Sequence, residues 1–548
     1  MKRLMKKALL PVGALVLIIS VAYTPDYFEI SKQLDIFTTA FKEVNLYYVD
    51  DTEPGELMEE AITGMLTSLD PYTNYIPEER VEDFKIQTTG NYGGIGASIR
   101  RYKDKVYITA PYEGFAADKA GLKAGDVLLS VDGESVEGKS TEDISQVLKG
   151  AAGTEVELTI ERNGVKETKK IERDEVQVPS VPYYGMLNDG IGYIHLSSFT
   201  EKASREIKAA LKTLKDENEL KGLVLDLRGN PGGLLSEAVN VTNIFIDKNK
   251  EVVKTKGKLE EWEKSYKTLS KPDDTELPLV VLINRGSASA SEIVAGTLQD
   301  YDRAVVVGQR SFGKGLVQQT RKLSYGSQIK VTIAKYYTPS GRCIQAINYA
   351  QRAEDGSVEK IPDSLRTAFT TQGGRTVYDG GGIDPDITLE TTPLSDIAVT
   401  LYAQMHLFNY ATDFVQEHES IAAPKQFTIS EEEYANFRHY LSDKEFDYKT
   451  ETERELEAFI EAAKEEEYYT LLKSSVDKLE SEYHEREKDD LKNFSADIKE
   501  LLSEEIAARY YYEEGRIANA LQYDKEVEKA VEVLNNQTEY TGVLTAVK

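Results

Sequence analysis

"LPLVVLINRGSASASEIVAG", residues 277–296, holds a uniformly apolar run, a polar Asn-Arg-Gly break, and serines alternating with alanines before a helical pattern begins. An apolar run of this length, bounded by turn residues, reads as a buried strand, and "SEIVAGTLQ" after it reads as a helix. The same grammar recurs on both sides. "GIGYIHLSSF", "KGLVLDL" and "RAVVVGQ" are further strands, and "KASREIKAALKTLKDENEL" and "LLSEAVNVTNIFI" are further helices. Apolar strands alternating with helices predict an open α/β sheet, covered on both faces, from Gly190 to about Leu389.

The rest of the 548-residue chain divides around that core. Residues 1–25 place Lys2, Arg3, Lys6 and Lys7 before an uncharged run, as an export signal peptide or signal anchor does. Either outcome puts the remaining chain outside the cytoplasm, in the periplasm or on the periplasmic face of the inner membrane. Residues 26–84 show helical periodicity. Residues 85–173 switch to short strands with Gly turns and one helix, a small β-rich module. The α/β core spans 174–396. Residues 397–548 form an acidic helical extension, which carries much of the formal charge of −28. The fold class is therefore multidomain α/β + β with helical segments at both ends. The acidic balance argues against a nucleic-acid partner. One cysteine, Cys343, and five scattered histidines argue against a metal site, and no cofactor is expected.

Three stretches carry candidate chemistry. The serines 287, 289 and 291 lie where a strand gives way to a helix, and free N–H groups at a helix N-terminus favour developing negative charge. Ser289 and Glu292 also match the Ser-x-x-Glu capping box, so a purely structural role stands beside a nucleophilic one. In "VVVGQRSFGKGLVQQ", residues 305–319, Lys314 lies between glycines at the end of a buried strand, where desolvation lowers a lysine toward use as a base. Gly308 to Lys314 matches a Walker A loop except that Gly315 replaces the hydroxyl residue that binds Mg²⁺. Ser311 to Lys314 matches the SxxK of penicillin-recognising enzymes, without their partner motifs. In "DLRGNPGGLLSEA", residues 226–238, glycines opening a helix let backbone N–H groups approach an anion, as an oxyanion hole requires. An ordinary βα turn is the alternative. All three stretches lie at C-terminal ends of strands, the edge of an open α/β sheet where sites form.

Together with "SLDPYTNYIPEE", "GNYGGIGASI", "AGLKAGDVLLSVDG", "YYTPSGRCIQ" and "DGGGIDPDI", these stretches resemble the carboxy-terminal processing, or tail-specific, proteases of the S41 serine peptidase family. The resemblance covers roughly residues 30–390. It implies a PDZ domain at 85–173, an S41 peptidase core at 174–396 and a Ser–Lys catalytic pair. Ser289 would be the nucleophile and Lys314 its base, with Gln318, one helical turn on, holding the lysine. Ala290 and the Gly232-Gly233 turn would supply the oxyanion hole. The turn Tyr92-Gly93-Gly94-Ile95-Gly96 would capture a substrate's C-terminal carboxylate. The family more often has Ser at the position of Cys343, a tolerated small residue here. Expected partners are protein substrates with apolar C-termini, a second copy of the chain through its N- and C-terminal helices, and an adaptor protein. Residues 1–25 would tether the chain to the membrane where they are retained. A catalytically inactive PDZ scaffold is the rival reading, opposed by the presence of Ser289, Lys314 and Gln318 together.

Overall fold

The computed structural model describes residues 27–349, 357–390, 393–444, 448–487 and 489–545. Residues 1–25, read above as an export segment, lie outside them. Among the described residues no helix is long and apolar enough to cross a membrane.

The chain forms two compact units. One comprises the residues up to Ile76 together with Thr320–Val331. Its helices are Tyr27–Tyr47 and Pro54–Thr67, and Asn74–Ile76 pairs antiparallel with Gln328–Lys330. Asp70 shapes the entry to that strand, its carboxylate accepting from the Tyr72 and Thr73 N–H groups at 2.8 Å each.

The second unit is built on a six-stranded sheet. β1 (Tyr183–Met186) runs antiparallel to β2 (Ile191–His195). β3 (Gly222–Asp226), β4 (Leu279–Ile283), β5 (Val305–Gly308) and β6 (Ile387–Thr388) then follow β2 in parallel, in that spatial order. Three crossover helices, α1 (Ala203–Glu217), α2 (Leu235–Phe245) and α3 (Ala290–Asp300), join β2 to β5. Right-handed crossovers that advance steadily in one direction put all their helices on one face. There Ile194, Leu223, Leu225, Val281 and Val306 are buried against them.

Strand residues alternate between faces, so Tyr193, Val224, Val280, Leu282 and Val305 point the other way. That second face is closed by the end of the chain. Ala518 of α4 (Ser495–Ala520) and Val527, Ala530, Val533 and Leu534 of α5 (Lys525–Asn535) pack on it. The acidic extension, read from the sequence only as a helical segment beyond the core, thus packs on it: its last helices close the second face of the α/β sheet.

The β-rich module is an antiparallel sheet in the order 97–102, 105–111, 127–131, 155–162, 165–172. Helix Thr141–Leu148 lies over it, started by a reciprocal Ser140–Asp143 capping box. Ile108, Leu122, Ile144, Leu158 and Ile160 form its core. Asp174–Gln177 returns to pair with Asn91–Gly94, so the boundary drawn at residue 173 cuts a strand pair.

Beyond residue 396, helices Asp396–Ala403, His406–Glu417 and Glu431–Leu441 pack with Ile498, Leu502 and Ile506 of α4. α4 breaks at Tyr511 and Tyr512, the latter at φ 54°. The Tyr512 hydroxyl donates to Asp118 at 2.8 Å, and Arg100 donates to the Ala403 carbonyl at 2.9 Å. These bonds dock the β-rich module on the helical domain.

Candidate active site

β3, β4 and β5 end at Asp226, Ile283 and Gly308, and the loops leaving these three ends meet. The Phe312 N–H donates to the Ser287 carbonyl and the Gln309 N–H to the Ile283 carbonyl, both at 3.0 Å. The Ala288 N–H donates to the Asn230 carbonyl, also at 3.0 Å. The three stretches singled out in the sequence therefore form one site.

Geometry separates the three serines. Ser287 is fully buried, donating to the Leu227 carbonyl at 2.8 Å and accepting from the Asn284 N–H at 2.9 Å. Ser291 is fully buried too, donating to the Asn230 carbonyl at 2.9 Å. Both hydroxyls hold loops together. Ser289 alone of the three is partly exposed. Its backbone sits at φ 55°, ψ −110°, a strained conformation for a residue with a Cβ. Such strain clusters at functional sites, where the surrounding structure enforces it.

Glu292 does the enforcing. It is fully buried at the third position of α3. Its Oε2 accepts from the Ser289 N–H at 2.8 Å and the Lys314 N–H at 2.9 Å. Its Oε1 accepts from the Ser311 hydroxyl at 2.6 Å and the Gly313 N–H at 2.7 Å. Burial pushes this carboxyl up, against the pull of the four donors, and burial prevails. A second clamp is Tyr336, whose hydroxyl lies 2.7 Å from the Lys314 carbonyl and 3.1 Å from the Ser289 carbonyl. One carboxylate and one phenol thus tie the backbones of Ser289 and Lys314 together. The Lys314 loop is braced further by Gln345, which accepts from the Gly315 N–H at 2.8 Å, and by the Ala346 N–H bond to the Gly313 carbonyl at 3.0 Å.

Lys314 is half-buried between two buried glycines. Gln318 falls on the strand Leu316–Lys322 and donates to the Thr332 hydroxyl at 3.3 Å. The spacing of four is therefore no helical turn; along a strand it spans up to ~13 Å.

The Gly232-Gly233 turn packs on the serine. A Cβ built on Gly232 would lie 2.9 Å from the Ala290 nitrogen and 2.9 Å from the Ser289 Cβ, and φ is 103°. Only glycine lets this turn reach the start of α3. The Gly232 N–H is held by the Asn230 side chain at 2.9 Å, and Asn230 in turn donates to the Leu196 carbonyl at 2.7 Å. Tyr92, Gly93 and Gly94 lie within the strand Asn91–Gly94, leaving Ile95 and Gly96 as the bend into the strand that starts at Ala97.

The sequence showed Glu292 only as half of a capping box. Tyr336 and Gln345 stand at the two ends of the quoted YYTPSGRCIQ, but their roles could not be read there, because they depend on a fold that brings residues 289, 314 and 336–346 together.

Residues 190–353 match the family model of peptidase family S41, and residues 107–162 that of a PDZ domain. Residues 22–80 match the activating protease CtpB N-terminal domain, and 397–534 the probable PDZ-protease C-terminal helical domain. A carboxy-terminal-processing protease of Bartonella bacilliformis is 41% identical over 321 residues, 58% of this chain and 73% of that protein. A probable CtpA-like serine protease of Staphylococcus aureus is 40% identical over 317 residues, 57% of this chain and 63% of that protein. The structure of a photosystem II D1 C-terminal processing protease aligns at 29% identity and a TM-score of 0.35, covering 65% of this chain and 92% of that one. With its core, its PDZ module and its sequence aligned to such relatives, the chain belongs to peptidase family S41, among the carboxy-terminal-processing serine proteases.

Proposed function

We propose that this chain is an exported serine endopeptidase that uses Ser289 and Lys314 as a catalytic pair and captures substrate C-termini on its PDZ domain. The observation that carries the reading is the shared clamp of Glu292 and Tyr336 on the backbones of those two residues. In this mechanism the Lys314 amine takes the Ser289 proton as Oγ attacks the scissile carbonyl, and the resulting alkylammonium protonates the leaving amine. The amine then activates water to release the acyl group. The developing oxyanion sits at the N-terminus of α3, facing the Ala290 N–H and the Gly232-Gly233 turn. Gln318 enters as a residue of the strand that follows the lysine, with no assigned contact to it.

On the PDZ domain, strand Ala97–Tyr102 lies at the sheet edge, so an extended peptide can add beside it. The Ile95-Gly96 bend at its head is the candidate carboxylate cradle. An unfolded substrate ending in apolar residues should lose about 10- to 100-fold in kcat/KM when its C-terminus is amidated, the size of a lost charge-assisted hydrogen bond or two. Equal rates for the amidated and free forms would remove the PDZ role.

The expected self-association has a candidate surface on the first unit. Helix Tyr27–Tyr47 has no buried residue, and Tyr27, Ile30, Leu34, Phe37, Phe41 and Val44 follow one another at alternating spacings of three and four. That is the seam of a coiled coil, and it lies largely exposed. A second copy of the same helix is the proposed occupant. Sedimentation equilibrium should show a dimer that Leu34→Glu with Phe37→Glu converts to monomer; a wild-type monomer at micromolar concentration would refute it.

A further inference from the structure

Arg228 stands four residues before Gly232, on the loop that carries the oxyanion turn, and its side chain is only 16% exposed. Its guanidinium meets three carboxylates. Nε lies 3.0 Å from both oxygens of Asp226, and Nη2 donates to Asp226 at 2.5 Å. Nη1 and Nη2 grip Asp524 as a fork, at 3.0 and 2.6 Å, and Nη1 also donates to Glu526 at 2.6 Å. Asp226 belongs to the protease core, at the end of β3. Asp524 and Glu526 come from the far end of the chain, 296 and 298 residues away, at the start of α5.

A planar fork with a carboxylate fixes orientation as well as distance, which a point charge does not. The apolar face of α5 anchors that helix to the sheet independently, through Val527, Ala530, Val533 and Leu534. Docking the helix therefore does not require the acids. Asn284 holds the Gly229 N–H at 2.9 Å, Ser287 and Ser291 hold the Leu227 and Asn230 carbonyls, and the Asn230 side chain holds the Gly232 N–H, all from within the core; Arg228 adds the tie from the head of this loop to the C-terminal helices.

We propose that Asp524 and Glu526, supplied by the C-terminal helical domain, are positioning residues of the active site: they hold Arg228, and through it the Gly232-Gly233 turn, in the geometry that stabilises the oxyanion. This rests on the oxyanion assignment made above. The C-terminal domain is then part of the catalytic apparatus, and core and extension must be joined for turnover.

The test uses the full chain and unfolded β-casein. Asp524→Asn with Glu526→Gln keeps the volume of both side chains and an N-cap at 524, since Asn caps as well as Asp. We expect kcat to fall about 10- to 100-fold with KM within about twofold, as misplacement of a catalytic group produces. Hydrogen exchange should quicken in residues 227–234 while 525–535 stay protected. Asp524→Asn alone, which keeps the N-cap and leaves the Glu526 carboxylate on Arg228, should lose less than the double variant, and Glu528→Gln, on the exposed side of α5, should act as wild type. Unchanged kcat in the double variant, or equal loss of protection in α5 and the turn, overturns the proposal. Gly232→Ala separates the two readings. If it is inactive while the double variant is fully active, only this inference fails; if it is fully active, the oxyanion assignment itself fails.

Discussion

Lys314→Ala is expected to cut kcat/KM on an unfolded protein substrate by at least about 10⁴-fold, and Ser289→Ala by a similar factor. The two residues act as a unit, since a serine hydroxyl without a base is a weak nucleophile and a base without the serine has nothing to activate. The double variant should therefore be no worse than either single one. Both substitutions leave the backbone clamps in place, because Glu292 and Tyr336 hold positions 289 and 314 by main-chain groups. Circular dichroism and the melting temperature should stay close to wild type. Lys314→Arg should not rescue activity, because a guanidinium stays protonated and cannot serve as base. Cleavage that survives in a purified single variant at more than about 1% of wild type would refute the pair.

The second large effect is expected at Glu292. Glu292→Ala strands four donors around a buried hole: the N–H groups of Ser289, Gly313 and Lys314, and the Ser311 hydroxyl. Each unsatisfied buried group costs about 1–3 kcal/mol, so a loss of roughly 3 kcal/mol or more is expected in urea unfolding. Glu292→Gln is expected to fail nearly as badly, because its amide NH₂ faces donors where an acceptor is needed. Activity should fall with both variants even at temperatures where they remain folded, since the strained φ of Ser289 loses its support. A midpoint unchanged within error for both variants would show that the clamp contributes nothing.

The outcome at these positions follows what a linear reading can reach. The strand-helix alternation, the glycine turns and the apolar runs were legible because each is a local property of a few consecutive residues. The candidate residues were legible for the same reason, as motifs at loop positions after strands. Gln318 shows the limit of spacing. Four residues mean one turn on a helix and a long reach on an extended chain, and Gln318 lies on the strand that starts at Leu316, just after Lys314. Tyr92, Gly93 and Gly94 show a related limit, since a glycine-rich stretch reads as a turn until its pairing with Asp174–Gln177 is known. Among the three serines alternating with alanines, the family resemblance named Ser289, and burial and hydrogen bonding of Ser287 and Ser291 supply the physical reason.

By itself the sequence determined the classes of element, their order, and a sheet that must be covered on both faces, because apolar strands cannot be left open to water. It did not determine what covers the second face. Sequential strand order with right-handed crossovers commits α1, α2 and α3 to one side, so the other side has to be closed by a segment from elsewhere. Tertiary structure assigned that role to Ala518 of α4 and to α5, more than 200 residues past the strands β2 to β5 that they cover, and with them brought Asp524 and Glu526 to Arg228. Hydrophobic burial is non-directional and carries no record of sequence distance, so which acidic helix closes a core is decided only when the chain packs.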